Sequence, residues 1–536
     1  MPVKISLLLV LSFFFCRLSA EETTYMFRIL LKDKGQSTYS IQKPEEFLSE
    51  KAILRREKQG IAIDETDLPV NTSYIFQIKN TGVQIVTQSK WLNTVSVKTT
   101  DSLSVDKLLQ LPFVDTLSLV FKGTINQEQE DIIPENPLIV TATPETNHYG
   151  VAFTQIAMHN GNLLHEAGYK GAGMTIAVID AGFHNVDCID ALNNDQILGA
   201  KTFSYTTAHP FRTKNQHGTR VLSCMLSNKA NVMVGTAPEA SYFLFCSEVD
   251  GSEFPIEEDF WVAAIEYADS IGVDIATTSL GYTTFDLPEM NHQQQQLDGN
   301  TILMSKAATL AAEKGMLLLN AAGNEGGRTW STISFPSDAE KILTVGALVS
   351  SESLSSFSPM GPSADGRVKP DIMALGTSAS LIDSNGNLIK GNGTSYATPI
   401  MAGLTACLWQ AFPDRTNLEL IEMIQRSSHK YTSPDNHYGY GIPDVFNVYE
   451  DQKSAWQPLS SPKSLIRQIG NYLLVNTAID NLSLCKLTIY NSLGEIVTEI
   501  KPLSHTSVDL SHLPRGVYIA LLQCSGTHQA CKFIKR

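Results

Sequence analysis

The sequence predicts an α/β protein in which helices cover both faces of a parallel sheet. Three observations lead to this prediction. From about residue 150, nearly continuous apolar strands such as 174–180 alternate with helical segments, which is the pattern of a parallel sheet buried on both faces. A small α/β unit precedes this part, at 21–125. Short strands between turn residues follow it at 464–536 and indicate a small β-sandwich.

Composition and charge limit the classes of function. Of the 536 residues, 43% are hydrophobic and 18% are charged, and the net charge is −15. There is no block of like charges, which argues against nucleic acid as a partner and favours a soluble protein. Residues 1–20 place a lysine before an apolar run and end in Leu-Ser-Ala, so we predict a secretory signal peptide that is cut after Ala20. No later stretch is predicted to cross a membrane.

The cysteines are not those of a disulfide-stabilised scaffold. Of the eight cysteines, seven follow the predicted signal peptide, and they are scattered along the chain. Those beside apolar elements are predicted to pack as small buried hydrophobes, namely Cys188, Cys224, Cys246 and Cys407. Cys524 and Cys531 flank a polar turn and could pair across a hairpin.

The unit at 21–125 mixes both element types, and a linker follows it. Period-two and β-branched patterns predict strands, and charged amphipathic stretches predict helices. We predict strands at 25–32, 74–79, 83–88, 92–98 and 114–121, and helices at 44–59 and 105–111. Residues 126–148 contain three prolines and many Glu, Gln and Asn residues. They are predicted to form an exposed linker, which is a natural site of proteolysis.

Beyond the linker, strands and helices alternate, and the active groups of such sheets collect at the carboxyl ends of the strands. We predict strands at 174–180, 241–246, 273–277 and 316–320, and helices at 217–227, 256–270 and 301–314. A Ser-, Pro-, Lys- and Gln-rich stretch at 451–463 marks a second linker. The tail is predicted to have strands at 472–476, 484–490, 496–500, 507–510, 516–523 and 530–535.

Three residues at the ends or starts of elements have the chemistry of nucleophilic catalysis. Asp180 ends a buried strand, His217 opens a helix, and Ser395 follows a glycine turn and begins a helix. Taken singly, each has an ordinary interpretation, as a turn residue, a polar residue or a helix cap. Taken together, they supply a nucleophile, a base and the carboxylate that orients the base.

Residues 150–445 resemble the subtilisin-like serine proteases, which are the subtilases or peptidase S8 family. The order Asp, His, Ser along the chain is the order in subtilisin. Further matches lie at 235–238, 278–281 and 369–371. The motifs that carry the resemblance are Val178-Ile179-Asp180-Ala181-Gly182, His217-Gly218-Thr219, Ala322-Gly323-Asn324 and Gly393-Thr394-Ser395-Tyr396-Ala397-Thr398-Pro399.

The resemblance implies a subtilisin-like parallel sheet and a role for each matching residue. Ser395 would attack the scissile carbonyl, His217 would take and return the proton, and Asp180 would orient His217. Asn324 would donate its side-chain amide to the oxyanion together with the backbone N–H of Ser395. The resemblance also implies two walls of the substrate site. One is a strand-like edge at Ser279, Leu280 and Gly281, and the other is a side-chain pocket at Ala321, Ala322 and Gly323.

The chain departs from the family pattern in two places. Ala181 stands where Thr or Ser is usual, which removes a hydrogen bond near Asp180. Ala374-Leu375-Gly376 replaces the usual Ala-Pro-Gly, and this change affects the rigidity of a loop rather than the chemistry. The family often binds structural calcium, so calcium is possible here, although no ligand run stands out. No CxxC or HExxH motif supports a catalytic metal, and no other cofactor is expected.

Both flanking units resemble known modules. The unit at 21–125 resembles the inhibitory propeptide of subtilases, chiefly through residues 91–98, and an independent accessory domain is the alternative. The tail at 464–536 resembles the C-terminal sorting domain of the type IX secretion system of Bacteroidetes. Its matching stretches are 487–497, 508–519 and the basic end 532–536. The alternative for the tail is a carbohydrate- or protein-binding β-sandwich.

These features together predict a secreted serine endopeptidase that hydrolyses proteins through an acyl-enzyme and is made as a zymogen. Its expected partners are protein or peptide substrates, its own propeptide as an inhibitor, and the type IX secretion machinery, and we expect a monomer. The expected location is secreted or on the cell surface, reached through the periplasm. The alternative is a catalytically silent surface adhesin or scaffold on the same fold. Substrate preference depends on loops such as 282–300, in which 292–296 is predicted to be an exposed insertion.

The predicted domain order follows from these assignments. It is a signal peptide at 1–20, a propeptide at 21–125, a linker with the maturation cleavage at 126–149, a peptidase domain at 150–450, a linker at 451–463 and a sorting β-sandwich at 464–536.

Overall fold

The computed structural model describes most of the chain. The described residues are 23–101, 104–125, 130–141, 143–144, 146–205, 209–455, 466–469, 472–475, 485–501, 507–524 and 527–535. The predicted signal peptide lies outside them. The chain divides into two compact units, which separate between Tyr449 and Glu450.

The first unit begins with an antiparallel sheet of four strands in the order β2-β3-β1-β4. The predicted strand at 74–79 is wrong, because these residues belong to helix α2. The side chain of Asn71 caps this helix by accepting the N–H of Ser73 at 2.9 Å, and Tyr74, Ile75 and Ile78 pack together into the core at helical spacing. The elements are β1 Thr24–Leu31, α1 Glu50–Gln59, α2 Thr72–Lys79, β2 Gln84–Ser89, β3 Thr94–Thr99, α3 Ser104–Leu109 and β4 Val114–Gly123.

A seven-stranded parallel sheet forms the centre of the first unit, in the order β13-β12-β11-β10-β5-β9-β6. Two short antiparallel pairs, β7-β8 and β14-β15, lie outside it. The strands are β5 Thr175–Asp180, β6 Ile197–Thr202, β7 Asn228–Lys229, β8 Met233–Val234, β9 Ser241–Cys246, β10 Ile275–Thr278, β11 Leu317–Ala321, β12 Leu343–Leu348, β13 Ile372–Leu375, β14 Ala379–Ile382 and β15 Leu388–Gly391.

Helices cover both faces of this sheet, which confirms the predicted fold class. Within β5, Ile176 and Val178 join the apolar core shared with α6 and α9, whereas Ala177 and Ile179 join the core shared with α7 and α8. This alternation follows from the period of two along a strand. The helices are α4 Phe153–Ala157, α5 Gly161–Glu166, α6 His217–Leu226, α7 Ile256–Ser270, α8 Leu303–Glu313, α9 Thr394–Ala411, α10 Asn417–Ser427 and α11 Val445–Ala455.

Both predicted linkers contain ordered structure. Residues 130–141 lie against the central unit, where Val140 is fully buried in the core and its N–H donates to Asp190 Oδ1 at 2.8 Å. Lys229 Nζ bonds the Val140 carbonyl at 2.8 Å and Asp190 at 2.5 Å. The second predicted linker starts as helix, since α11 continues to Ala455.

The insertion at 292–296, which was predicted to be exposed, is held to the domain by one of its side chains. His292 Nε2 lies 2.6 Å from Glu258 Oε1.

The second unit is β-rich and encloses its own apolar core, which includes Leu473, Leu487, Val508 and Phe533. Its sheets have the orders β16-β17-β20 and β19-β18-β21-β22. The strands are β16 Ile466–Ile469, β17 Tyr472–Val475, β18 Lys486–Tyr490, β19 Ile496–Ile500, β20 Ser507–Asp509, β21 Gly516–Cys524 and β22 Thr527–Lys535. Within the described parts of the chain, no helix is long and apolar enough to span a bilayer.

The suggested pairing of Cys524 with Cys531 is wrong. Cys524 forms a disulfide with Cys485, which lies just before β18. The register between β21 and β22 explains the difference, because Cys524 lies opposite Thr527 and Cys531 lies opposite Ala520. Of the four cysteines predicted to be buried, Cys188 is only partly buried, and the other three are buried.

Candidate active site

The candidate residues of β5, β10 and β11 meet at one edge of the central sheet. Asp180 is the last residue of β5, Ser279 follows β10 directly, and Ala321 ends β11. These strands are neighbours in a parallel sheet, so their carboxyl ends lie on the same side. Helices α6 and α9, which begin at His217 and Thr394, supply His217 and Ser395, and Asn324 lies in the loop after β11.

Asp180 and His217 form a hydrogen-bonded pair. Asp180 is fully buried, and its Oδ1 lies 2.7 Å from Nδ1 of the half-buried His217. Burial lowers the pKa of His217, but the charge and the hydrogen bond of Asp180 raise it by more, so the pKa lies above the ordinary histidine value. This pairing leaves Nε2 as the ring nitrogen that can exchange a proton with a neighbour.

Small residues bring the two loops of this pair together. A Cβ atom placed on Gly218 would lie 2.6 Å from the carbonyl oxygen of Gly182 and 2.7 Å from the ring of Phe183. The N–H of His217 donates to Asn215 Oδ1 at 2.9 Å, which fixes the start of α6. The imidazole can therefore approach Asp180 only because position 218 carries no side chain.

Asp180 lacks one hydrogen bond, as the alanine at 181 predicts. Its Oδ1 accepts the Ala181 N–H at 2.8 Å as well as His217. Its buried Oδ2 has no hydrogen-bond partner among the described residues. The family pattern has Thr or Ser at position 181, and its hydroxyl would supply a further hydrogen bond. Here the carboxylate is held through Oδ1 alone.

Ser395 lies in the first turn of α9, after Gly393 at the N-cap position. Its side chain is 6% exposed. Ser395 Oγ donates to the carbonyl of Ser279 at 3.3 Å, and Ser279 Oγ donates to the carbonyl of Ser395 at 2.9 Å. Among the described residues, Ser395 Oγ makes no hydrogen bond to His217, although both residues line one cavity of about 370 Å³. Such bonds are often long in a free enzyme and tighten when substrate binds.

Asn324 is fixed through its amide oxygen. Asn324 Oδ1 accepts the backbone N–H of Thr394 at 3.0 Å and the Thr394 hydroxyl at 3.3 Å. Thr394 Oγ1 in turn donates to the carbonyl of Gly323 at 2.8 Å. Because the oxygen is held in this way, the Nδ2 donor remains for a ligand in the cavity that Asn324 lines.

The cavity contains most of the predicted substrate residues. Ser279, Leu280, Gly281, Ala321 and Gly323 all line it. Ala322 does not, and this prediction is corrected. Its side chain is fully buried in the core, and its N–H donates to the carbonyl of Val345 at 3.0 Å, so it lies behind the wall.

Sequence reasoning missed two acidic residues in the same cavity, Glu248 and Glu253. Burial, and secondarily Glu253, raises the pKa of Glu248 to about 8. Burial, and secondarily Asp286, raises the pKa of Glu253 to about 7. The signal that could have found Glu248 is its place two residues after β9, at the same carboxyl edge as Asp180.

These two residues and Glu257 are the one group of three metal-ligating side chains found within the described parts of the chain. Calcium takes about six to eight oxygen ligands. The two carboxyl oxygens of Glu257 already accept the N–H groups of Val249 and Phe254, at 2.7 and 3.1 Å, and Glu248 accepts the hydroxyl of Tyr282. The group does not fit a structural calcium site, and we assign no metal to it.

Comparison with known proteins gives three matches along the chain. The model of the subtilase family (peptidase S8) matches residues 171–441. The peptidase S8 propeptide domain of Bacteroidota matches residues 26–134. The secretion system C-terminal sorting domain matches residues 471–536.

Two curated subtilisins of the genus Bacillus agree with the family match. The chain is similar to subtilisin E of Bacillus subtilis, with 29% identity over 60% of this chain and 78% of that protein. It is 30% identical to a subtilisin of Bacillus pumilus, over 53% of this chain and 93% of that protein. Among solved structures, MycP1 of Mycobacterium smegmatis matches with a TM-score of 0.46 and 19% identity, over 60% of this chain and 90% of that chain.

Proposed function

The chain belongs to the subtilase family and is a serine-type endopeptidase, and from this premise we propose that Ser395, His217 and Asp180 are its catalytic triad. Ser395 Oγ turns from the Ser279 carbonyl toward His217 Nε2 and attacks the peptide carbonyl, while His217 takes the hydroxyl proton. His217 then protonates the leaving amine, and water hydrolyses the acyl-enzyme through the same groups. Asp180 holds His217 through Nδ1 and stabilises the imidazolium.

Two donors stabilise the oxyanion in this mechanism. They are the backbone N–H of Ser395, at the start of α9, and Nδ2 of Asn324. The observation that carries the proposal is the joint geometry of one cavity. It contains Ser395, the His217 that is bonded to Asp180 at 2.7 Å, and an Asn324 whose oxygen is already occupied. A donor of this kind contributes about 3–4 kcal/mol to transition-state stabilisation.

The test of this function is hydrolysis of casein by the mature protein, combined with labelling by a fluorophosphonate probe. Peptide mapping is expected to find the label on Ser395. Absence of both labelling and hydrolysis would favour the catalytically silent adhesin or scaffold instead.

We propose that the propeptide inhibits the precursor, and the contacts of residues 130–141 support a maturation cleavage before Leu138. Residues 130–141 are held by the peptidase domain, through Asp131 N–H to the Arg212 carbonyl at 2.9 Å and Leu138 N–H to the Cys188 carbonyl at 2.8 Å. A cut beyond Val140 would remove a fully buried core residue. The cleavage therefore belongs before Leu138 and after the propeptide sheet.

N-terminal sequencing of the active protein checks this assignment. The expected first residue lies between 126 and 137. A first residue beyond 141 would contradict the retained segment. An active enzyme that begins near residue 21 would contradict the propeptide itself.

The tail is proposed to direct export by the type IX secretion system through the periplasm. The sorting-domain match covers residues 471–536. Deleting 464–536 is expected to leave the protein in the periplasm, where the fluorophosphonate probe should still label it because the peptidase unit is intact. Normal appearance of the truncated protein in the medium or on the cell surface would refute this route.

A further inference from the structure

The acidic cluster of Glu248, Glu253 and Glu257 lies at the wall of the active-site cavity. Carboxyl oxygens of the three residues lie within 4.8 Å of one another. Glu248 and Glu253 line the same cavity as Ser395 and His217. If Ser395 and His217 act as proposed, this cavity receives a peptide, and the two carboxyl groups line the space that the substrate enters.

The three carboxyl groups have different partners. Glu257 is committed to the protein, because its two oxygens hold the backbone of Val249 and Phe254. Glu248 accepts one hydrogen bond, from the hydroxyl of Tyr282. The Glu253 carboxyl group accepts none among the described residues, and no Lys, Arg or His there comes within ion-pair distance of any of the three.

This arrangement is unfavourable in the free enzyme. Burial penalises ionised carboxylates, and like charges at short distance penalise them further. A further carboxylate is close, since the N–H of Glu253 donates to Asp286 Oδ2 at 3.2 Å. A cationic group that entered the cavity would reverse both penalties, because it would supply the counter-charge and the missing hydrogen-bond donors.

The strand order indicates which substrate residue would meet the cluster. Gly281 has no hydrogen bond through its N–H or carbonyl among the described residues, so this edge is open to an extended peptide.

The two walls of the cavity come from strands on opposite sides of β10. Ala321 ends β11 on one side, whereas Glu248 lies two residues after the end of β9 on the other side. Side chains of an extended peptide alternate between sides. If the residue whose carbonyl reacts points toward Ala321 and Gly323, the preceding residue points toward Glu248 and Glu253.

We propose that Glu248 and Glu253 select substrates with a lysine or arginine at the second residue before the scissile bond. The inference rests on the proposed catalytic function and adds a substrate class to it. The ammonium or guanidinium group would bind between the two carboxylates, beside His217. Tyr282 would orient Glu248 for this contact.

The test uses quenched peptides that differ at this one position, with Lys, Arg, Gln or norleucine, and mass spectrometry to locate each cut. For the wild-type enzyme, kcat/KM for the Lys and Arg peptides is expected to exceed that for the norleucine peptide by on the order of 10- to 100-fold. Glu253→Gln and the Glu248→Gln/Glu253→Gln pair are expected to lose this preference while still cleaving the norleucine peptide. Glu289→Gln is the control, because it removes an exposed charge outside the cavity.

The possible outcomes distinguish failure of the specificity proposal from failure of the catalytic proposal. Cleavage of all four peptides at similar rates by wild type would overturn the inference and leave the catalytic proposal standing. Cleavage of none would contradict the catalytic proposal. Retention of the preference in Glu253→Gln and in the double variant, with fluorophosphonate labelling showing intact sites, would also overturn the inference. Tight calcium binding would also overturn the inference. It would be measured by adding calcium chloride to the Ser395→Ala protein. Loss of this binding on Glu248→Gln would show that the cluster holds a metal ion.

Discussion

Replacing Ser395 with alanine is expected to lower kcat for casein or peptide hydrolysis by about 10⁶-fold, which is the magnitude for removal of the nucleophile in subtilisin, a relative of this chain. The loss is this large because no acyl-enzyme can form without the Oγ atom, and the rest of the triad then has no proton to move. Residual catalysis would come from the oxyanion donors and from substrate binding alone.

The measurement is the initial rate for mature wild-type and Ser395→Ala proteins, each tested with a fluorophosphonate probe. If the precursor is cut by the enzyme itself, the variant stays uncut, so it should be matured by added wild-type enzyme before the assay. Ser279→Ala is a matched control, because it removes a neighbouring hydroxyl that bonds the Ser395 carbonyl at 2.9 Å but is not the proposed nucleophile. Equal activity of Ser395→Ala and wild type would contradict the assigned triad.

Replacing Asp269 with alanine is expected to weaken binding of the propeptide by about 150- to 5,000-fold. Asp269 of α7 is fully buried, and three propeptide cations surround it. Its carboxylate lies 2.5 Å from Arg55, 2.9 Å from Arg56 and 3.5 Å from Lys90. Removing the carboxylate leaves the buried Arg55 without an ion-pair partner among the described residues and leaves Arg56 with Asp67 alone. Breaking a buried pair of this kind costs about 3–5 kcal/mol.

The measurement is the activity that the cleaved, non-covalent complex regains on dilution, which reports the dissociation constant of the propeptide. Lys51→Ala is the control across the same interface, because its ion pair with Asp274 has a lysine side chain that is 43% exposed. Such a pair contributes about 0–1 kcal/mol. The dissociation constant of the propeptide should therefore change by about fivefold at most. Equal inhibition in the Asp269→Ala protein and wild type would contradict the anchoring role.

The interaction at Asp269 is expected to persist in mild acid. Burial raises the pKa of Asp269, but Arg56, Lys90 and Arg55 lower it by more, to about 2. A carboxyl group with a depressed pKa contributes fully above its ordinary pKa of about 4 and loses the contribution only as the pH falls toward 2. Mild acidification should therefore leave this anchor of the propeptide intact.

The central sheet and the triad candidates could be predicted because each produces a local pattern. Uninterrupted apolar strands require a sheet covered on both faces, and Gly218 beside His217 marks a close approach of the backbone. The Asp180 carboxylate ends such a strand, so its place at the sheet edge follows from chain direction alone. The missing hydrogen bond of Asp180 could also be predicted, from the single alanine at 181.

Features that depend on distant partners could not be predicted. The β-rich composition of residues 74–79 favoured a strand, but the Asn71 cap and packing of Ile78 decide for a helix. Cys485 lies 39 residues from Cys524, so no local spacing links them. Glu248 and Glu253 belong to no motif, and each alone is an ordinary loop carboxylate. Only the fold brings them to the wall of one cavity.

Helix α9 carries a consequence for how the enzyme loses activity. All residues from Thr394 to Trp409 are buried, and the helix packs against α6, which begins at His217. Beyond the first turn, the hydrogen-bonded amide hydrogens of such a buried helix exchange only when the whole core opens. The proposed nucleophile, Ser395, is therefore held in place by the same packing that stabilises the domain. Heat or denaturant should abolish activity in the same cooperative transition that melts the domain, with no folded but inactive state populated before it.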